Sequence, residues 1–389
     1  MSPRLLVLNA GSSSLKFAVF EGDARLASGN LSRIGTEPRL ALRLGSAPPE
    51  TRSVAAADLP AAAAHVLDTL AAERLLEGVV AVGHRIVHGG AQFSAPARLD
   101  DSVLAQLETL VPLAPLHQPH NLAIVRFTMA RLLGAAQVGC FDTAFHAARP
   151  RLDKLYALPR ALSDAGIIAY GFHGLSYAHI AGRLRALHGP EAGGRAIVAH
   201  LGSGASLCAM KNGASVATTM GFSALDGLVM GSRCGAIDPG VLLHLLDSGG
   251  MDSAALSDLL YNRSGLLGVS GLSADMQTLL TSDSPAAAEA IDLFIASITR
   301  HIGALAAALG GLDTLVFTAG VGENAPEIRQ RVGQGAAWLG AVIDEAANAA
   351  GALDIAAPAS RLAVLVIPTD EELAIADGVN AVLGASPAS

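Results

Sequence analysis

Two arginines lie in glycine-rich sequence, where an ordinary solvated charge is uncommon. Arg85 follows an apolar stretch and is followed by VHGG at residues 87–90, and Arg233 lies within GSRCG. An arginine guanidinium binds a carboxylate or a phosphate through two parallel hydrogen bonds. We therefore expect both arginines to bind an anion, and the alternative for each is a structural ion pair.

Three acidic residues follow stretches that are predicted to be buried strands. Asp142 comes directly after residues 136–141, and Glu371 and Glu372 follow residues 362–367 and a short turn. In open α/β folds, ligands bind at the C-terminal ends of the strands. Asp142 is therefore a candidate active-site carboxylate, and one of the two glutamates is a candidate metal ligand. The alternatives are a helix N-cap for Asp142 and an acidic first helical turn for the glutamates.

Three histidines lie in loops beside glycine or proline. His117 stands between prolines, His173 lies in YGFHG, and His200 ends a predicted strand. A lone loop histidine usually has a structural role, but three beside such turns favour contact with a ligand. No pair of them has the helical spacing of a zinc motif.

The segment LLVLNAGSSSLKFAVF, residues 5–20, is typical of two short buried strands joined by a small polar turn. The turn has groups that bind phosphate: Gly11 permits close approach, Asn9 offers an amide, Ser12 and the next two serines offer hydroxyls, and Lys16 offers a charge. The alternative is an ordinary hairpin turn that is rich in serine.

A similar pattern begins again in the middle of the chain. Strands are predicted on both sides of the turn GSGA at residues 202–205, in the same order as in residues 5–20. Gly11, Ser12 and Gly22 recur 191 positions later. This repeat indicates a duplicated unit, and two such units predict a nucleotide bound between two α/β domains.

A third glycine turn follows the predicted strand at residues 314–317, in the sequence TAGVGENAP. Asn324 is expected to cap a helix whose first turn contains Pro326, so that the strand leads through glycines into a helix N-terminus. The turn is a candidate nucleoside site, although a bare Gly-x-Gly more often reflects plain strand-to-helix packing. It lacks the full dinucleotide fingerprint and the Gly-Lys-Ser/Thr ending of a Walker loop.

The composition indicates a globular α/β protein with a large core, since 51% of the 389 residues are hydrophobic and 15% are charged. A net charge of −8 without any Lys/Arg run argues against a nucleic-acid partner. Apolar runs such as residues 362–367 are far shorter than a membrane helix, and the N-terminus has no signal-peptide pattern. Three widely spaced cysteines exclude a zinc or disulfide framework. We therefore expect a cytoplasmic protein without a membrane partner.

Ten segments together resemble one family, the acetate kinases, which are short-chain acyl kinases on the fold of sugar kinases, actin and the heat-shock ATPases. They follow the family's order over nearly the whole chain: LNAGSSSLK (8–16), HRIVHGG (84–90), APLHQP (114–119), FDTAFH (141–146), YGFHG (170–174), HLGSGAS (200–206), GLVMGSRCGAIDPG (227–240), SGLLGVSGLSADM (264–276), FTAGVGENAP (317–326) and PTDEELAIA (368–376). Chance agreement of this extent is negligible.

The resemblance implies an α/β fold of duplicated actin-like ATPase domains, which are ribonuclease H-like, around a nucleotide cleft. Residues 1–148 would form the first domain, residues 149–371 the second, and residues 372–389 would return to the first. The implied reaction is reversible phosphoryl transfer from ATP to acetate, or to propionate, which gives the acyl phosphate and ADP with Mg²⁺ or Mn²⁺ as cofactor. The resemblance also implies a homodimer.

Site residues carry over by position in this sequence. The resemblance implies two magnesium ligands, Asn9 and Glu371. It implies four catalytic residues, of which the first also binds the carboxylate: Arg85, Asp142, His173 and Arg233. It implies an apolar acyl pocket lined by Val87, Leu116 and Phe172. The nucleotide contacts that it implies are Lys16, Ser12, His200, Leu201, Gly202, Ser203, Gly204, Asp275, Met276, Gln277, Gly320, Val321, Gly322, Glu323 and Asn324.

The chain departs from the family pattern at several of these places. Ser203 stands where asparagine is usual and Gln277 where arginine is usual, which bears on nucleotide affinity and base preference. Ala224 replaces a proline that helps to close the acyl pocket, so propionate is a second candidate acceptor. Three further departures replace a threonine, a histidine and an acidic residue: Leu175, Tyr177 and Ala236.

Other functions stay open at this point: a butyrate or other short-chain acyl kinase, a sugar kinase of the same fold, or a nucleotide-driven binding protein like actin and the heat-shock relatives. A carboxylate acceptor has a pKa of about 4 to 5, so it is ionised at pH 7 and needs no general base. A sugar kinase must deprotonate a hydroxyl and has less use for two site arginines. The sequence therefore favours a carboxylate acceptor.

Overall fold

The computed structural model describes residues 3–11, 13–115 and 117–384. Ser12 and Leu116, which the resemblance assigns to the nucleotide and acyl sites, lie outside the described residues. The chain divides into two compact units. The first contains the described residues up to Ala147 together with those from Asp370 onward, and the second spans Ala148–Thr369.

The first unit is built on a mixed sheet of eight strands, in the order β5-β4-β3-β2-β1-β6-β8-β7. The strands are β1 (Arg4–Ala10), β2 (Ser14–Glu21), β3 (Ala24–Ser32), β4 (Arg39–Leu44), β5 (Glu50–Ser53), β6 (Val79–Ile86), β7 (Ala97–Arg98) and β8 (Ala136–Phe141). Strands β1 to β5 form an antiparallel meander, whereas β1, β6 and β8 run parallel. The parallel strands bring their C-terminal ends to one edge of the sheet.

Three helices lie between these strands along the chain: α1 (Leu59–Ala72), α2 (Asp101–Glu108) and α3 (Gln118–Arg131). Helix α1 begins after Asp58, whose side chain accepts a hydrogen bond from the backbone N–H of Ala61. The sequence predicts this helix over residues 61–76, but it ends earlier because Arg74 adopts a left-handed backbone with φ of 58°. Its apolar face packs into a core that includes Leu6, Phe17, Val66 and Leu67.

The second unit is built on a five-stranded sheet in the order β11-β10-β9-β12-β13. Its strands are β9 (Arg195–Leu201), β10 (Ala205–Lys211), β11 (Ala214–Thr218), β12 (Thr314–Thr318) and β13 (Ala363–Val366). Strands β9 and β10 begin 191 residues after β1 and β2 and form the same antiparallel hairpin. Each hairpin also continues into a parallel neighbour, so the predicted repeat is present in the strands themselves.

Ten helices belong to the second unit: α4 (Arg160–Asp164), α5 (Gly174–His188), α6 (Pro239–Asp247), α7 (Ser253–Asn262), α8 (Gly265–Ser270), α9 (Met276–Leu280), α10 (Pro285–Leu309), α11 (Ala319–Asn324), α12 (Pro326–Gly335) and α13 (Glu345–Ala349). Helix α10 is long and apolar enough to cross a membrane, but half of its most apolar stretch is buried. It packs against β10, α8, α9 and α12, which is the position of a core helix.

The last helix, α14 (Glu371–Leu383), belongs to the first unit and packs on β1, β6 and β8. Glycine permits this close packing on both surfaces. A Cβ at Gly83 of β6 would lie 2.6 Å from the Cγ2 of Ile375, and one at Gly378 would lie 2.7 Å from the Sγ of Cys140. The packing fixes the N-terminus of α14 at the edge of the sheet where the parallel strands end.

Candidate functional site

Polar side chains converge at that edge of the first unit. Asn9 lies near the end of β1, Arg85 near the end of β6, Asp142 directly after β8, and Glu371 at the start of α14. The register of the parallel strands places Arg85 beside Cys140, two residues before Asp142. Four residues from distant parts of the sequence therefore form one cluster, as expected for the C-terminal edge of parallel strands.

Arg85 and Asp142 form a buried ion pair at the centre of this cluster. Both Nε and Nη2 of Arg85 donate to Oδ2 of Asp142, at 3.0 and 2.7 Å. The side chain of Asp142 is 2% exposed and that of Arg85 is 17% exposed. Burial raises the pKa of Asp142, and the Arg85 guanidinium opposes this shift. Burial also disfavours the charge on Arg85, but the surrounding carboxylates outweigh it and raise the pKa of Arg85, so the guanidinium stays protonated.

Asn9 joins the two glutamates at the start of α14. Its Nδ2 donates to Oε2 of Glu371 at 2.9 Å and to Oε1 of Glu372 at 2.8 Å. Burial raises the pKa of Glu372, and the charge of Lys16, which lies opposite Asn9 across β1 and β2, opposes this shift. These oxygen donors fit Mg²⁺, which binds through one or two carboxylates and keeps its other positions for water and substrate phosphates.

The backbone after Arg85 is fixed by side chains from α3 and from the segment after β8. The N–H of Val87 donates to Asn121 at 3.0 Å, that of His88 to Gln118 at 3.2 Å, and that of Gly89 to Thr143 at 3.0 Å. Val87, which is predicted to line the acyl pocket, is 4% exposed. The segment that carries Arg85 is therefore held in place by buried polar groups.

In the second unit, the tip of the β9–β10 hairpin lies beside two predicted catalytic residues. A Cβ at Gly204 would lie 3.4 Å from Nε2 of His173 and 3.7 Å from Nη1 of Arg233. Nη1 of Arg233 also donates to the carbonyl of Ala224 at 3.0 Å, so this departure from the family pattern contributes through its backbone. The hairpin tip is thus flanked by the imidazole of His173 and the guanidinium of Arg233.

His173 lies at the start of α5 and stacks on His200 of β9. The two ring centroids are 4.2 Å apart with an angle of 23° between the ring planes. Nδ1 of His200 lies 2.8 Å from the hydroxyl of Ser176, which lies 2.8 Å from the hydroxyl of Thr369. His173 has a left-handed backbone with φ of 58°, and its neighbour Phe172, a predicted acyl-pocket residue, is 2% exposed.

A cavity of about 320 Å³ in the second unit brings together most of the predicted nucleotide contacts. It is lined by Gly202, Ser203, Asp275, Met276, Gln277, Leu280, Gly320, Val321, Asn324 and Ala325. None of these ten residues is basic, so the cavity suits the uncharged nucleoside better than its phosphates. Other predicted contacts do not line it: His200, Leu201, Gly204, Gly322 and Glu323 of the same unit, and Lys16 of the first unit.

The predicted cap at Asn324 is wrong. Helix α11 already begins at Ala319, after the N-cap Thr318, and Asn324 ends it with its side chain donating to the carbonyl of Gly320 at 2.9 Å. The turn is held instead by Glu323, whose Oε1 accepts from the N–H groups of Ala319 and Thr369 at 2.8 and 3.0 Å. Pro326 does occupy the first turn of the next helix, α12.

Arg329 of α12 is 1% exposed and holds the end of α11 by hydrogen bonds. Its Nη1 donates to the carbonyls of Gly322 and Glu323 at 3.0 and 2.8 Å, and its Nε and Nη2 donate to Asn348 at 2.7 Å each. Sequence reasoning missed this residue, since no local pattern distinguishes it from an exposed helical arginine. Glu372, by contrast, had a signal, because it is adjacent to Glu371.

Comparison with known proteins places the whole chain in one family. Residues 4–377 match the Acetokinase family. The chain is 50% identical to the acetate kinase of Rhodopseudomonas palustris strain TIE-1 and 46% identical to that of Methylocella silvestris, with 97% of each chain covered in both comparisons.

Solved structures agree with this result. The acetate kinase of Porphyromonas gingivalis matches with a TM-score of 0.87 and 37% identity, over 98% of this chain and 100% of that one. A propionate kinase from Francisella tularensis subsp. tularensis SCHU S4 matches with a TM-score of 0.91 and 34% identity, over 97% and 99%. The predicted α/β fold is confirmed, and the chain belongs to the acetokinase family.

Proposed function

We propose that the protein transfers the γ-phosphoryl group of ATP reversibly to acetate, which gives acetyl phosphate and ADP. The observation that carries this proposal is the buried Arg85–Asp142 pair beside Asn9 and Glu371. It offers a fixed cation for a carboxylate next to oxygen donors for a metal. We further propose that the two compact units correspond to the two domains that the resemblance implies.

The reaction with acetate requires positive charge at the site rather than proton transfer. Acetate is ionised at pH 7, so its attack on phosphorus requires cations that reduce the repulsion between anions. Arg85 binds the acetate carboxylate, and Asp142 orients the guanidinium through its two hydrogen bonds. When bound at Asn9 and Glu371, Mg²⁺, or Mn²⁺ in its place, would neutralise charge on the nucleotide phosphates.

The nucleotide chemistry belongs to the second unit. The cavity lined by Ser203, Gln277 and Val321 holds the nucleoside, and the hairpin tip at Gly204 directs the phosphates toward His173 and Arg233. These two residues donate hydrogen bonds to the transferred phosphoryl group as its charge develops. We propose direct in-line transfer, and net retention of configuration at a chiral phosphorus would contradict it.

A hydroxylamine-trapping assay tests the function. Purified protein is incubated with ATP, Mg²⁺ and acetate, propionate or butyrate, and the acyl phosphate is converted to a hydroxamate. We expect acetate to give the highest turnover and propionate the next, since Ala224 replaces the family's usual proline. Hydroxamate from none of the acids, with folded protein, would contradict the proposal and favour a nucleotide-driven binding protein.

We also propose that the protein is a cytoplasmic homodimer. The surface of helix α6 supports the proposal of a dimer. None of its nine residues is buried, and Leu243 and Val241 are 60% and 43% exposed. Such an apolar helix is best covered by a partner surface. Light scattering after gel filtration is expected to give the dimer mass, and Leu243→Glu is expected to give the monomer. An unchanged mass for this variant would contradict α6 as the contact.

A further inference from the structure

A buried serine joins His173 to Tyr177, the tyrosine that stands where the family usually has histidine. The Oγ of Ser206 lies 2.5 Å from the hydroxyl of Tyr177 and 2.9 Å from Nδ1 of His173. Tyr177 and Ser206 are both 0% exposed. The three side chains therefore form a hydrogen-bonded chain in which Ser206 is the central member.

The number of available protons determines which atom donates in each of these two hydrogen bonds. Ser206 has one hydroxyl proton, so it donates one of the two bonds and accepts the other. A phenol is a stronger acid than an aliphatic alcohol, so Tyr177 is the donor in the short bond between the two oxygens. Burial raises the pKa of Tyr177 well above its ordinary value, so the phenol keeps its proton. The hydroxyl proton of Ser206 then points at Nδ1 of His173, which accepts it.

We propose that Tyr177 is a positioning residue that acts through Ser206 to keep the proton of His173 on Nε2. With Nδ1 as the acceptor, the neutral imidazole carries its N–H on Nε2, the atom that faces the hairpin tip at Gly204. The ring then presents a hydrogen-bond donor to the phosphoryl group beside Arg233. This role rests on the proposed function only in the identity of the group that receives the hydrogen bond.

The position of the proton is measured directly by NMR of protein with ¹⁵N-labelled histidine, with the His173 signals assigned by their loss in His173→Asn. We expect the unmodified protein to show Nδ1 of His173 unprotonated and Nε2 protonated. This measurement requires neither substrate nor turnover. Protonated Nδ1 with unprotonated Nε2 would overturn the proposal, whatever the hydroxamate assay gives.

Tyr177→Phe tests the role of the phenol. We expect a mixture of both His173 tautomers and a kcat for hydroxamate formation that is about tenfold lower, with the KM values for ATP and acetate changed less than about twofold. The double variant Tyr177→Phe/Ser206→Ala is expected to be no slower than Ser206→Ala alone, because both act on the same atom. Tyr170→Phe is the matched control, since it removes a buried phenol that donates to the carbonyl of Gly166 at 2.8 Å.

Several results distinguish this inference from the proposed function. An unchanged His173 tautomer in Tyr177→Phe, or effects of the two substitutions that simply add, would overturn the role of Tyr177. A similar loss of kcat in the Tyr170→Phe control would do the same, because it would indicate a general effect of lost packing. If the unmodified protein forms no hydroxamate, the proposed function fails, while the NMR spectrum still decides where the proton lies.

Discussion

Arg85 donates two hydrogen bonds to a single oxygen of Asp142, through Nε at 3.0 Å and Nη2 at 2.7 Å. A lysine at this position would keep the charge but could not make both bonds in this geometry. We expect Arg85→Lys to lower kcat/KM for acetate about 10²- to 10³-fold, as the loss of one group that stabilises transition-state charge does. The control is Arg98→Lys at an exposed position of β7. A kcat/KM within threefold of the unmodified protein would contradict the role of Arg85.

The carboxylate of Glu371 is expected to set the metal requirement. Glu371→Gln keeps the shape of the side chain and its place beside Asn9, but it removes a negative charge from the proposed ligand set. We expect the half-saturating concentration of Mg²⁺ to rise about tenfold or more, with activity partly restored by excess metal. Glu327→Gln, in the first turn of α12, is the matched control. An unchanged Mg²⁺ requirement would argue that Glu371 is not a ligand.

The buried guanidinium of Arg329 is expected to be essential for stability. Arg329→Met removes the hydrogen bonds that the guanidinium donates to the carbonyls of Gly322, Glu323 and Asn348, which costs about 3 kcal/mol or more in the free energy of unfolding. We also expect a higher KM for ATP, because α11 loses its support. Arg331→Met on the same helix removes only partly exposed ion pairs and should cost less than about 1 kcal/mol. Equal unfolding curves for the two variants would contradict this account.

Acid is expected to destabilise the protein through His84. Burial lowers the pKa of His84 from its ordinary 6.5 to about 4, while its bond to Gln137 opposes the shift. The unfolded chain therefore binds a proton that the folded chain does not bind between pH 6.5 and 4. The free energy of unfolding therefore has its full value above pH 6.5, and it decreases by about 3 kcal/mol as the pH falls to 4.

Urea unfolding over this pH range checks the expectation. His84→Gln should reduce the slope of the free energy of unfolding against pH by the equivalent of up to one proton. If His84→Gln keeps the full slope, other groups are responsible for the acid sensitivity.

The sequence predicted the parts of this protein that local patterns determine. Both hairpins, with their offset of 191 residues, follow from short apolar runs that are separated by small turns, and Asp142 is predicted as a site residue because it directly follows a buried strand. Asn324 was misjudged because Asn followed by Pro two residues later resembles a helix start, whereas Glu323 holds the turn from inside the helix. A capping preference is weaker than a partly buried carboxylate that accepts two backbone N–H groups.

Other features depend on tertiary packing, which the local sequence does not reveal. Asn9 and Glu372 are 363 residues apart and meet only because α14 packs on the sheet of the first unit. The chain from Tyr177 through Ser206 to His173 joins a helix to a strand about 30 residues away. The local sequence singles out Asn9, Glu372 and His173, but it does not show which residues they contact.

The packing of α14 on the first sheet also has a consequence for synthesis on the ribosome. Residues 148–369 are all made between the last strand of the first unit and the helix that covers β1, β6 and β8. During this interval the nascent first unit exposes the apolar surface that Ile375 and Val379 later cover. Glu371 arrives with the same helix, so the growing chain acquires its proposed metal ligand and the cover for its first core in a single late step.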